Sequence, residues 1–162
     1  MKAFADTSFL YALYRQQQNS RVADALLVGM RQPVRVSSLV LFEFRQSARF
    51  QAFRFSKDRA HGFSKREARE MLAVLQENIA AGGLELIPAD WQEVHSIAER
   101  LSSQYTETGG HRALDILHVA TALYQKADRL LTFDSNQAAL AKSAGLACIA
   151  HKSLEICERC RL

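Results

Sequence analysis

Four acidic residues, Asp6, Glu43, Asp115 and Asp134, stand where an α/β chain can gather carboxylates. Asp6 follows the apolar run Ala3-Phe4-Ala5, and Asp134 follows Leu130-Leu131-Thr132-Phe133. Both runs read as buried strands, and the C-terminal ends of such strands are where open α/β sheets bind ligands. Glu43 interrupts the apolar stretch Leu39 to Phe44, and Asp115 opens a helix-periodic run that continues through Leu117, Ala120, Thr121 and Tyr124. Carboxylates sharing one cleft repel, so either one holds a proton or a cation lies between them. An all-oxygen donor set selects Mg²⁺ or Mn²⁺ over zinc. Such ions neutralise a phosphodiester and activate water to attack it.

Each acid also has a plainer role. Asp6 could be a helix N-cap, as could Thr7 or Ser8, and taken alone that is the stronger reading. Glu43 could be a solvated side chain pairing one turn along its helix, but Ser47 is a poor partner. A lone carboxylate among apolar residues is costly to bury unless paired or bound to metal. His118 follows Asp115 by one turn, and a packing or orienting role outweighs a ligand role. Arg112 precedes Asp115 by one turn and fits equally a substrate phosphate or a carboxylate partner.

The elements that must position these residues alternate. Strands are expected near residues 3, 34, 84, 130 and 147, separated by helices, which implies an α/β layered fold with a mostly parallel sheet. Helices are expected from Thr7 to Tyr14, from Asn19-Ser20 to near Gly29, and from Ser37-Ser38 to about Phe53. Leu39, Phe42 and Gln46 share one face of the third. Ser64-Lys-Arg-Glu67 matches a capping box and opens a helix to about Ala81 with Met71, Val74, Leu75 and Ile79 as its apolar stripe. Asp90 caps a further helix, which gives way to a polar turn from Thr106 to Gly110 bordering the acids. The last helix runs from Ser135 to Ala144. The domain spans 1–150, and 151–162 form a short tail.

The chain has 162 residues, 48% of them hydrophobic and 23% charged, the range of one globular domain. No apolar run is long enough to span a bilayer, and the N-terminus meets Lys2 and Asp6 too early for a signal-peptide core. A cytoplasmic protein is expected. Cys148, Cys157 and Cys160 are too few and too clustered for a disulfide framework, and Cys157-x-x-Cys160 is half of a zinc site at most.

Net charge is +4. Arg45, Arg49, Arg54, Lys57, Arg59, Lys65, Arg66 and Arg69 lie in one segment, opposed by Asp58 and Glu67 and interleaved with Phe50, Phe53, Phe55 and Phe63. Cations with aromatics suit phosphate neutralisation and base stacking, while phenylalanines alone more often mean core.

Taken in order, Asp6-Thr7-Ser8 after the first strand, Glu43 on the third helix, Arg112-x-x-Asp115-x-x-His118, and Thr132-Phe133-Asp134-x-Asn136-Gln137 resemble PIN-domain ribonucleases. That family includes the VapC toxins of bacterial toxin–antitoxin pairs. The resemblance covers nearly the whole chain to Ile149. Ile116 and the long Phe55–Ser64 segment depart from the family pattern.

The resemblance implies a single PIN-like domain whose site is Asp6, Glu43, Asp115 and Asp134, holding Mg²⁺ or Mn²⁺ and supported by Ser8, Arg112, His118 and Asn136. It implies endonuclease activity on single-stranded or structured RNA, with water attacking phosphorus in line to leave a 5′-phosphate and a 3′-hydroxyl. Arg45, Arg49, Arg54, Lys57 and Arg59 would hold the RNA backbone. A small antitoxin protein and a homodimer are the partners it suggests. A PIN nuclease outside any toxin pair, or a silent PIN-fold binding module, are the alternatives. A phospho-receiver domain fits poorly because Asp6 has no acidic neighbour, and a haloacid-dehalogenase-type phosphatase fails on Asp6-Thr7-Ser8.

Overall fold

The computed structural model describes residues 1–149 of the chain. The tail with Cys157 and Cys160 lies outside the described residues, as does the last residue of the expected domain. The elements follow as β1 (Ala3–Ala5), α1 (Thr7–Tyr14), α2 (Ser20–Val28), β2 (Val34–Val36), α3 (Ser38–Lys57), α4 (Lys65–Ala80), β3 (Leu84–Leu86), α5 (Trp91–Gly109), α6 (Ala113–Tyr124), β4 (Arg129–Leu131), α7 (Ser135–Ser143) and β5 (Ala147–Ile149).

The five strands form one parallel sheet in the order β3-β2-β1-β4-β5. The chain winds outward from β1 in one direction through β2 and β3, then crosses back to continue through β4 and β5. The switch falls between β1 and β4, paired in register as Ala3–Arg129, Phe4–Leu130 and Ala5–Leu131. Loops leave the C-terminal ends of these two strands in opposite directions and open a crevice there.

Short strands suffice in the middle of the sheet because helices cover them on both faces, while the edge strand β3 is largely exposed beyond Leu84. Phe4, Val34, Val36, Leu130 and Leu131 are completely buried, packed under Phe9, Leu10, Val40, Phe44, Leu75 and Leu140 from the helices. Side-chain caps fix where the helices begin. The Ser37 hydroxyl accepts from Val40 N (3.3 Å), Ser64 from Glu67 N (3.1 Å) and Asp90 from Gln92 N (2.9 Å).

Several expected boundaries move for identifiable reasons. The fourth strand stops at Leu131 rather than Phe133. Phe133 N donates to the Ser8 hydroxyl (2.8 Å) and Asp134 N to the Thr132 hydroxyl (3.0 Å), so side-chain oxygens take the amides a longer ladder would need. The polar segment Thr106 to Gly109 is helical. It extends α5 until Gly110, whose φ of +64° ends the helix in the left-handed region. α3 runs four residues past Phe53, to Lys57.

The apolar face of α3 also differs from expectation. Val40, Leu41, Phe44 and Ala48 are buried, whereas Phe42, Phe50 and Phe53 project from the opposite side and are 62%, 53% and 55% exposed. On α4, Met71 and Leu75 are buried while Val74 is exposed. Among the described residues no helix is long and apolar enough to cross a membrane.

Candidate active site

Asp6, Glu43, Asp115 and Asp134 all line one cavity of about 220 Å³ at the C-terminal ends of β1 and β4. Ser8, Arg112 and His118 line it too, together with Thr7, Tyr11, Ser47 and Gln137. Four distant stretches of sequence therefore meet at the topological switch.

Asp6 sits where β1 becomes α1, and its backbone N–H still donates to Leu131 O (3.1 Å), tying the end of β1 to the end of β4. Its carboxylate is 2% exposed. Phe9 N donates to Oδ1 (2.9 Å), the helix-capping bond. The Ser8 hydroxyl donates to the same carboxylate (2.8 and 2.9 Å to its two oxygens), and the Thr132 hydroxyl donates to Oδ2 (2.6 Å). Capping and site-lining are thus both properties of Asp6. Burial pushes its pKa up to about 6, against the opposing pull of the bonds from Thr132, Phe9 and Ser8.

Glu43, in the second turn of α3, has the opposite balance. Burial acts to raise its pKa, but hydrogen bonds from His118 and Thr7 and the charge of His118 outweigh it, and the carboxyl is held below its usual range. His118 Nε2 lies 2.6 Å from Glu43 Oε2, and the Thr7 hydroxyl donates to the same oxygen. The imidazole is 2% exposed, and its Nδ1 has no partner among the described residues. His118 thus spans from the core of α6 to the carboxylate of α3.

Asp115 and Asp134 are held by backbone amides. Asp115 Oδ2 accepts from Arg112 N (3.3 Å) in the first turn of α6. Asp134 caps α7, its Oδ1 accepting from Asn136 N (2.8 Å) and Gln137 N (3.0 Å). Asn136 contributes its main chain to this cap and is not part of the cavity wall. Its neighbour Gln137, 2% exposed, lines the cavity instead. The Thr106–Gly110 segment does not line the cavity, and Arg112, just beyond it, does.

The basic residues do not reach the acids. Arg45, Arg49, Arg54 and Lys57 follow α3 away from the cavity, and Arg59 lies in the turn after it. Arg49 instead lines a separate groove between α3 and α4 with Phe53, Lys65 and Arg69. Phe50 stacks on Phe53 with centroids 6.1 Å apart, and Lys57 Nζ lies 5.5 Å from the Phe53 centroid.

Sequence reasoning passed over Thr7, Thr132 and Gln137 as site residues. Thr7 and Thr132 flank Asp6 and Asp134 in the motifs, and hydroxyls beside a buried carboxylate are the natural donors to it. Gln137 closes the motif that carries Asp134, three residues on, and that position is the signal that could have found it.

An all-oxygen set of four carboxylates has the chemistry of a hard divalent-cation site. With the side chains as they stand, each carboxylate is engaged by protein donors, and among the described residues no three acidic, histidine or cysteine side chains converge to hold an ion.

Comparison with known proteins agrees with the fold. No curated protein matches the chain. Its fold is similar to FitAcB from Neisseria gonorrhoeae (20% identity, TM-score 0.59, covering 91% of this chain and 96% of that one). It is similar to VapC20 from Mycobacterium tuberculosis, described as a sarcin-ricin loop cleaving toxin (20% identity, TM-score 0.61, 90% and 97% covered). VapBC2 from Rickettsia felis, solved on a promoter DNA fragment, is similar as well (17% identity, TM-score 0.61, 93% and 98% covered). The family model described as the PIN domain matches residues 3–143, nearly all of the sheet and every helix that carries an acid, and the chain belongs to the PIN-domain family.

Proposed function

We propose that this protein is a divalent-metal-dependent endoribonuclease and the toxin of a toxin–antitoxin pair. The observation that carries the reading is the meeting of Asp6, Glu43, Asp115 and Asp134 in one cavity at the sheet's switch point. Nuclease chemistry in the PIN family, and the similar folds of a sarcin-ricin loop cleaving toxin and of a toxin–antitoxin complex from Klebsiella pneumoniae, support it.

The four carboxylates would hold Mg²⁺ or Mn²⁺, which supplies charge neutralisation at the phosphodiester and activation of water. Ser8 and Thr132 hold Asp6 in place, and Thr7 and His118 hold Glu43, so these two ligands are oriented by donors from α1, α6 and the segment after β4. Water attacks phosphorus in line, the 3′-oxygen leaves, and the products carry a 5′-phosphate and a 3′-hydroxyl. Arg112, at the cavity wall, is placed to meet a phosphate oxygen. Arg45, Arg49, Arg54 and Lys57 on α3, with Arg59 in the turn after it, extend a positive surface for the RNA backbone. A small antitoxin covering the cavity and a homodimer belong to the same reading.

The alternative is a PIN-fold binding module without catalysis. Incubating purified protein with RNA in Mg²⁺ or Mn²⁺ against EDTA, beside Asp115→Asn, separates them. Metal-dependent cutting that the variant lacks establishes the nuclease. Absence of both cutting and metal binding leaves the binding module.

A further inference from the structure

A second cavity, of about 520 Å³, adjoins the acidic one through a shared wall of Ser8, Tyr11 and Ser47. Its character is different. No carboxylate lines it; Arg15, Gln17, Asn19 and Gln51 do, with Phe63 and Phe133. Its volume is in the range that encloses a small organic ligand.

Both sides of this cavity are fixed. On one, the α1–α2 turn is clamped by buried Ser20, which accepts from Gln17 N (2.9 Å) and donates to Arg15 O (3.0 Å). On the other, Gly62 presses the α3–α4 loop onto α3. Its φ is +80°, and a Cβ there would lie 2.2 Å from Gln51 O, so only glycine permits the approach. Arg15 is held between these walls. Its guanidinium carbon lies 4.8 Å from the Phe63 ring centroid, and its Nε donates to Glu67 (3.1 Å). Among the described residues Asn19 Oδ1 is shielded without a partner.

We infer that this cavity is a nucleotide subsite. It takes the base of the single-stranded RNA residue next to the scissile phosphate and makes cleavage base-selective. This rests on the ribonuclease reading above. Unstacked RNA bases are bound by stacking on aromatic or guanidinium planes and by hydrogen bonds to their edges. The Arg15 plane backed by Phe63 supplies the first. The Gln51 amide, with donors and an acceptor, and the Asn19 Nδ2 donors supply the second. The absence of carboxylates from the lining lets the attached phosphate approach, and the shared wall places that phosphate at the acids.

The test measures binding apart from cleavage. Fluorescent pentaribonucleotides of A, C, G and U are titrated by anisotropy in EDTA against the wild type, Gln51→Ala and Asn19→Ala, with circular dichroism melting as the fold control. The wild type should prefer one base, and each variant should bind that base about tenfold more weakly, removing most of the preference. Cut sites mapped in Mn²⁺ on a randomised RNA should lose selectivity at one position next to the break and keep it elsewhere. Equal wild-type affinity for all four bases, no binding at all, or folded variants that keep the preference would each overturn the subsite. The last of these would hand the cavity to a protein partner. Base-selective binding without any Mn²⁺-dependent cutting would instead fail the ribonuclease reading and leave the subsite standing.

Discussion

The two cavities that meet at Ser8, Tyr11 and Ser47 are built by opposite electrostatics. On the acidic side four carboxylates share about 220 Å³ and are held by hydroxyls, backbone amides and His118. On the other, amides and one guanidinium line a larger space with no acid. The first is suited to a cation and the second to a polar guest that carries a phosphate. Within the acidic side the contrast repeats between Asp6 and Glu43. Both accept several hydrogen bonds, yet full burial wins at Asp6 and donor bonds win at Glu43. A carboxylate's ionisation here depends on how far it is desolvated, and the number of its partners does not decide it alone.

The widest gap between the cavities should appear in catalysis. Asp115→Asn should reduce metal-dependent RNA cleavage to background while Gln51→Ala still cuts; comparable activity in the two would erase the distinction. Next in size is stability without metal. The Asp6 carboxyl has its pKa raised from 3.8 to about 6, so between those values the folded state binds more protons than the unfolded one. Its contribution to stability therefore falls as pH rises through that window and stays low above it. Asp6→Asn should stabilise the metal-free protein at pH 8 by up to about 3 kcal/mol, and by little at pH 4, in urea unfolding. A destabilised variant at pH 8 would show that the donor bonds outweigh burial.

Glu43 has the reverse sign. Its lowered pKa contributes stability that is present above the unfolded value of 4.5 and is lost as pH falls through the folded value. His118→Ala removes the Nε2 donor and should cost roughly 2 kcal/mol at pH 7. That loss should shrink in acid, and a pH-independent loss would mean the histidine acts by packing alone. Smaller again, Arg49→Glu with Arg54→Glu should weaken RNA binding by about tenfold at low salt and flatten its salt dependence, because fewer counterions are released. Unchanged binding would return α3 to a solvated surface. The smallest expected effect is the control: Ser64→Ala, which removes a cap distant from the acids, should lower stability by about 1 kcal/mol and leave cleavage per folded molecule unaltered.

Much of the fold was legible along the chain. Strand–helix alternation, the caps at Ser37, Ser64 and Asp90, and the family motifs placed all five strands and the four acids' elements close to where they lie. What failed failed locally. Phe50 and Phe53 read as core on hydrophobicity, but the face of α3 that packs is set by Phe44 and Ala48 against α1 and α4. Leu130 to Phe133 read as one apolar run, but Ser8 and Thr132 withdraw its last amides from the sheet.

The sequence by itself determined the element types, because periodicity and capping are properties of neighbours in the chain. It also determined the identity of the acids, because their motifs are local. Only the tertiary structure decided that Thr7 and His118 both serve Glu43, 36 and 75 residues away, and that Thr132 serves Asp6 across 126. It also decided that burial prevails at Asp6 and donor bonds prevail at Glu43, leaving the two with opposite shifts. Those outcomes depend on which side chains the β1–β4 switch brings together and how much water it excludes, and neither quantity is carried by any single stretch of residues.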